Sequence, residues 1–461
     1  MKLYAAPLNF RSIAREFDVR TTFAPELHDE AAELEDCFAQ LRIDARSVPL
    51  VTIDPAGSKD LDQAVHIEAR SGGGYVVRYA IADVAAFVDP DSSVAAESLE
   101  RGQTIYLPDE PARLHPEELS EGSASLLPGV DRPAVLWTFE LDAAGEVDAA
   151  HVERALVRSV ARLDYEGVHA DMQAGTVHPS VALLEEVGRL RQKSSLRRRA
   201  INLRVPSVRV VGDGENYELV IEPRHPIMDY NSEISLLTGM VAGRMMVDAG
   251  VGFLRTLGPA SAEGEAEFRR EARNLGFDVT GDIGEFLAGI DADTPRGMAV
   301  MREAQKLLRG AGYVDLSEDA PEVHAGIGGH YAHVTAPLRR LVDRFATEVC
   351  LAICADEPVP EWVERDAARM LKTMGRSSQL ANTVEKACLH LTEATVLEPW
   401  VGHNFDGVTL KSGEDAARVF IVDPPVLAPS AGAPEEGAET KFSLVQADPG
   451  AREVGFAWPA D

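Results

Sequence analysis

The spacing of apolar positions changes along the chain, and each change marks a change in the type of element. In ELHDEAAELEDCFAQLR, Leu27, Ala31, Leu34, Phe38 and Leu41 recur at helical spacing, which predicts a helical segment over residues 1–46. From Pro49 the pattern turns to short apolar runs and strict alternation. LVTID closes on the turn residues Pro55, Ala56, Gly57 and Ser58, and AVHIEA and YVVRYAIADV flank a glycine-rich turn over 71–74, a hairpin signal. A short helix follows, with Asp91 or Ser92 as its N-cap and Gly102 just past its end. VLWTFELD and VDAAHVERALV, separated at Ala144-Gly145, predict a further pair of strands.

Beyond about residue 182 the period becomes helical, with helices predicted over 183–199, 232–248, 262–275, 337–354 and 379–396. A strand pair near 206–222 interrupts them. The last sixty or so residues return to strand-like runs, GVTLK, ARVFIV and KFSLVQ, around a Pro/Ala/Gly/Glu-rich stretch from Pro424 to Glu439 that reads as a loop without a core. The expected fold class is α+β. A short helical segment (1–46) precedes a large domain with a mixed sheet flanked by helices (47–398), and a small β-barrel-like domain (402–461) follows.

Composition fits a soluble globular protein, 45% hydrophobic and 26% charged. No apolar stretch approaches the ~18 residues of a membrane span, and the start MKLYAAPLNF lacks a signal-peptide core, so a cytoplasmic location is expected. Cys37, Cys350, Cys354 and Cys388 have no zinc spacing and read as free thiols. The net charge of −30 opposes a nucleic-acid partner on average. Charge acts locally, however, within about 8 Å at physiological salt. The stretch RLRQKSSLRRRAINLR (189–204), with Arg198 at its centre, carries seven basic residues and no acid, and Arg339, Arg340 and Arg344 form a smaller cluster. A helix face closed by salt bridges is the commoner explanation of such a run.

The densest chemistry lies in VTIDPAGSKDLDQA (51–64). Asp54, Asp60 and Asp62 stand at a strand end and on the loop after it, where Pro55 and Gly57 shape a tight excursion. Crowded carboxylates resist ionising together unless a cation neutralises them. Oxygen ligands without His or Cys suit Mg²⁺ or Mn²⁺. The same residues equally describe a solvated acidic turn, with Asp54 or Asp60 capping backbone N–H groups.

TIDP-x-x-S-K-D-L-D resembles the signature loop of the RNB family, the catalytic domain of ribonucleases II and R. The likeness continues in register over roughly 47–398, through IADVAAFVDPDS, TIYLPDEPARLHPEELSEGSASLLPG and SVARLDYEGV to HYAHVTAPLRRLVDRFATEV. The resemblance implies that Asp54, Asp60 and Asp62 hold magnesium, with Asp60 and Asp62 taking part in the chemistry. Gln63 stands where the family carries a fourth aspartate; as a further member of the metal site its neutral carbonyl oxygen would ligate weakly or through water, and it supplies one charge fewer. Tyr106 matches an RNA-contacting tyrosine and Tyr165 the aromatic that stacks on the terminal nucleotide, although core packing is the commoner fate of a lone tyrosine. Leu203 takes the place of a third aromatic, where a leucine would wedge a base but not stack on it, which implies a weaker clamp.

Glu233 matches a glutamate that touches the RNA sugar, but its expected place in a first helical turn is a sufficient structural role. Pro337 suits the first turn of a helix, and Arg339 and Arg340 in that turn, with free backbone N–H groups, make an anion site. The family's essential arginine falls on Arg339. Glu385 matches a glutamate near the active site, though an isolated helical glutamate is more often a surface charge.

The resemblance therefore implies a short bacterial form with a helical preface where the family carries cold-shock domains. It would act as a Mg²⁺-dependent 3′→5′ exoribonuclease, releasing nucleoside 5′-monophosphates from single-stranded RNA. The basic run around Arg198 would line the RNA channel, and the terminal domain resembles an OB-type barrel. That barrel is acidic, with ten Asp/Glu against four Lys/Arg from Gly402 onward. Two rival readings remain open: an RNA-binding module that has lost catalysis, and a scaffold among other proteins of RNA decay.

Overall fold

In the computed structural model the described residues are 8–197, 200, 201, 203, 208–212, 217–221, 224–292 and 294–460. The alternating runs become strands β1 (Ile43–Asp44), β2 (Leu50–Asp54), β3 (Gln63–Ala69), β4 (Tyr75–Ala82), β5 (Asp131–Leu141) and β6 (Val147–Asp164). They form one sheet in the order β1-β6-β2-β3-β4-β5, and β5 also pairs with β6. β6 makes this possible through its length of 18 residues. Its first part lies antiparallel to β5, and its last part runs parallel to β2, from Leu50 opposite Ser159 to Asp54 opposite Asp164. Val51, Ile53, Val77, Tyr79, Ile81, Trp137 and Phe139 fill one buried cluster. Emptying such a site, as in Trp137→Ala, costs about 3–5 kcal/mol.

The N-terminal stripe does not form one helix. α1 (Arg11–Glu16) and α2 (Pro25–Ala32) are short, and the chain then turns through a 3-10 segment, Ala39–Leu41. Side-chain bonds explain the break. Arg42 pairs with Asp36 (2.6 Å) and Asp83 (2.8 Å), and Phe38 lies beneath the Arg154 guanidinium at 3.7 Å. Leu41 is left exposed. α3 (Ser93–Arg101) matches its prediction, with Ser92 as the N-cap accepting from the Ala95 N–H.

The helices are α4 (Tyr165–Ala174), α5 (Leu184–Arg197), α6 (Pro226–Ala249), α7 (Ala262–Asn274), α8 (Ile283–Ala288), α9 (Pro295–Ala304), α10 (Leu341–Ala355) and α11 (Glu361–Leu397). The hairpins β7–β8 (Val208–Gly212, Tyr217–Ile221) and β9–β10 (Phe253–Thr256, Gly312–Asp315) lie among them. Three helix starts differ from the sequence reading. α6 begins at Pro226, a proline at N1 following the extended His225, so Glu233 lies well inside the helix and not in its first turn. α10 begins at Leu341 and not at Pro337, because Arg340 is held extended at φ −136° and ψ 124°. α11 is continuous over 37 residues from Glu361, well before the expected start near 379. No described helix is long and apolar enough to cross a membrane.

At the C-terminal end, β11 (Asn404–Ser412), β12 (Ala416–Ile421), β13 (Val426–Ala431), β14 (Glu439–Asp448) and β15 (Glu453–Ala457) close into a barrel ordered β11-β12-β13-β15-β14. The stretch from Pro424 to Glu439 is therefore not all loop. β13 runs through it, burying Val426 and Ala428, while its alternate position Pro429 points outward. Small residues and prolines conceal this strand in the sequence. Val408, Leu410 and Phe420 of the barrel pack with residues of α7–α9 such as Phe268 and Leu287.

Candidate active site

β2 ends at Asp54, and the turn after it closes through the Ser58 N–H on the Pro55 carbonyl, with Gly57 at φ +88°. The chain returns past Ser125, whose hydroxyl accepts from the Leu61 N–H (3.0 Å) and donates to the Lys59 carbonyl. Leu61 is fully buried between Asp60 and Asp62, which fixes the loop's register on the sheet. The Asp62 carbonyl then accepts from Ala82, where β3 and β4 begin to pair.

A second segment, 335–340, meets this loop. Asp343 in the first turn of α10 accepts from the Ala336 N–H (2.7 Å) and takes both Nε and a terminal nitrogen of Arg340 at 2.8 Å. The Thr104 N–H donates to the Arg339 carbonyl at 3.0 Å. Held in this way, the turn offers the Leu338 N–H to Oδ1 of Asp62 (2.8 Å) and Nε of Arg339 to Oδ2 (3.5 Å). Gln63 donates its side-chain N–H to the Thr335 carbonyl. Arg339 remains 43% exposed, so its guanidinium faces solvent as well as Asp62.

Burial dominates the electrostatics. It pushes the Asp54 carboxyl up to about 6, with neighbouring Asp60 adding to the effect. Asp60 is raised by burial, reinforced by Glu121. Asp62 is pushed up to about 8 by burial, against the opposing pull of Arg339 and the Leu338 N–H. Raised carboxylates crowded at one place are those that a cation would stabilise in the charged form. The oxygen-only donor set fits a hard divalent ion. Among the described residues, however, no group of three or more His, Cys, Asp or Glu is already gathered as a ready-made metal cage.

The other candidates fall at varying distances from this junction. Tyr106 is 54% exposed on the loop after Thr104 and feels the charges of Arg339, Asp60 and Asp62. Tyr165 opens α4 directly after Asp164, the register partner of Asp54, and its hydroxyl accepts from the Asn231 amide at 3.3 Å. Glu233 is buried inside α6. Arg340, expected to meet RNA, is paired with Asp343 in this structure. Leu203 packs with Ile201 against the cluster of Phe268 and Phe420. Glu385 is exposed on α11, and among the described residues it forms no ion pair with the junction.

Arg198 lies outside the described residues. In the same basic run Arg191 is not exposed: it is buried against the Gly145 carbonyl (2.8 Å) and Glu146 (3.2 Å), because the β5–β6 turn packs on α5. Arg189 pairs with Glu185. Sequence reading missed Asp343, Ser125 and Thr335, and also His115, which is buried behind the turn against the Pro337 carbonyl. Only Asp343 left a signal, an acid at i+3 from Arg340.

Residues 42–352 match the RNB domain, and residues 403–458 match the RNase II-type exonuclease C-terminal S1 domain. Ribonuclease R of Chlamydia pneumoniae is 26% identical over 359 residues, covering 73% of this chain and 52% of that protein. Ribonuclease R of Vibrio cholerae is 28% identical over 355 residues, covering 70% and 42%. The chain thus spans about half the length of these curated relatives. The fold of Mycoplasma genitalium RNase R in complex with ribose-methylated single-stranded RNA superimposes with a TM-score of 0.88 at 19% identity, over 97% of this chain and 77% of that one. Yeast Ssd1, a pseudonuclease, superimposes with a TM-score of 0.72 at 16% identity, over 94% and 56%.

Proposed function

The chain belongs to the RNB family, and we propose that it is a divalent-metal-dependent exoribonuclease that hydrolyses single-stranded RNA from the 3′ end to nucleoside 5′-monophosphates. The observation that carries the reading is the junction at Asp62: a buried carboxylate facing Arg339 and feeling Asp60, which in turn neighbours Asp54.

Asp54, Asp60 and Asp62 would hold the ion. When bound, Mg²⁺ or Mn²⁺ supplies Lewis-acid stabilisation of the phosphate and a more acidic water. Arg339, half-exposed beside Asp62, neutralises charge that builds on the phosphate oxygens in the transition state. Tyr106 and Tyr165 hold the last bases by stacking, and contacts to the 2′-hydroxyl select RNA. Glu233 and Leu203 serve, at most, as the inner wall of the channel, since one is buried in α6 and the other is packed on the helical cluster.

A binding module without turnover is the second reading, favoured by one observation. The amide of Gln63, at the position of the family's fourth aspartate, is already bonded to Thr335. A 5′-labelled oligoadenylate with Mg²⁺ tests the choice. The proposal expects a ladder that shortens one nucleotide at a time, together with free AMP. Tight binding with an intact substrate would select the second reading instead.

A further inference from the structure

Gln63 occupies the first position of β3, its backbone in register with Ile81. Its side chain spans a separation of 272 residues to donate to the carbonyl of Thr335, which is itself buried. The adjacent residue, Asp62, accepts from Leu338 in the same turn. Two bonds from neighbouring residues to opposite ends of one turn fix both its distance and its rotation, whereas either bond alone would leave a pivot. Arg339 directly follows Leu338, so the aim of its guanidinium depends on both bonds.

We infer that Gln63 is a positioning residue, a clip that sets the angle of the arginine turn over the acidic loop, and that any metal is held by Asp54, Asp60 and Asp62 without it. A carboxylate here would offer only acceptors to a carbonyl oxygen and leave that buried carbonyl without a donor. An aspartate would also be one methylene shorter. Replacement by the aspartate of the family pattern should therefore weaken this site and not complete it. The turnover part of this inference rests on the proposed nuclease reading; the ligand part does not.

The test compares the full chain with Gln63→Asp, Gln63→Glu and the apolar isostere Gln63→Met, reading Mn²⁺ affinity by EPR titration alongside kcat and KM. Mn²⁺ affinity is expected to stay near that of wild type in all three, because the side chain at this position is turned to the Thr335 carbonyl and contributes no oxygen to the ion. Turnover is expected to fall about tenfold or more in all three through misplacement of Arg339, mainly in kcat. Mn²⁺ binding about tenfold tighter in Gln63→Asp or Gln63→Glu, or weaker in Gln63→Met, would overturn the inference and make Gln63 a ligand. Unchanged kcat in Gln63→Met with a lowered Tm would leave only a structural tie, which also overturns it. If wild type shows no turnover, the nuclease reading fails, and the Mn²⁺ titration still decides whether Gln63 is a ligand.

Discussion

The backbone N–H of Leu338 lies 2.8 Å from Oδ1 of Asp62, joining residues 276 positions apart. This bond sits where a strand-end loop and a helix-leading turn converge, and the chemistry of the site follows from their meeting. One side supplies carboxylates raised by burial, and the other supplies a half-exposed guanidinium. Neither segment carries both halves.

Arg339→Ala is expected to lower kcat by about 10²–10³. Arg339→Lys should recover only part of this, because a point charge cannot reproduce the planar fork. Arg339 also faces the buried Asp62 carboxylate, so its loss should lower the unfolding free energy by about 1–3 kcal/mol, well short of unfolding the protein. Steady-state kinetics with urea unfolding on the same preparations checks both statements.

Asp343→Ala strikes the support of the turn. It removes the acceptor of the Ala336 N–H and leaves Arg340 without its bidentate partner in a buried setting. Breaking a buried pair from one side costs about 3–5 kcal/mol. Urea titration should show that loss, and Asp343→Asn, which keeps an acceptor for Ala336, should lose less.

His115 is expected to oppose stability on the acid side. Burial, with Arg344 nearby, pushes its imidazole down to about 3, so the folded state keeps it neutral while the unfolded chain protonates it below about 6.5. Its stabilising contribution is therefore fully present above pH 6.5 and declines as pH falls toward 3. By pH 5 the loss is about 2 kcal/mol. Asp54, Asp62, Glu348 and Glu393, all raised by burial, act in the opposite sense and lose stability as pH rises. The comparison of wild type with His115→Gln isolates the histidine. The difference in Tm between the two should change sign or shrink between pH 7 and pH 5, whereas a constant difference would exclude the effect.

If Tyr106 stacks on a base as proposed, Tyr106→Ala should weaken single-stranded RNA binding by about 1–3 kcal/mol while leaving Tm unchanged, since the ring is exposed. Tyr165→Ala should weaken both binding and stability, because its ring packs on the core and its hydroxyl accepts from Asn231. Fluorescence anisotropy with a labelled oligonucleotide in EDTA reads binding without cleavage.

The local parts of this site were legible in the sequence. The Asp54–Asp62 spacing, the turn at Pro55–Ser58, the hairpin after it and the arginine cluster all follow from short-range patterns. What sequence reading could not supply was set by distant contacts. The start of α10 depends on Arg340 being drawn extended by Asp343, and the role of Gln63 depends on a carbonyl far along the chain. Arg191 read as part of a basic surface until the β5–β6 turn packed against it. β13 was hidden because a barrel strand of small residues and proline owes its conformation to its neighbours β12 and β15.

The central claim, that the carboxylate facing Arg339 carries out metal-dependent cleavage, is tested most directly by single-turnover digestion of single-stranded RNA with Mg²⁺ in wild type and Asp62→Asn, with RNA affinity measured in parallel. Wild type is expected to release nucleoside 5′-monophosphate, and the variant to lose at least about 10²-fold in rate with affinity unchanged. Equal rates in the two proteins, or no Mg²⁺-dependent release by wild type, would contradict it.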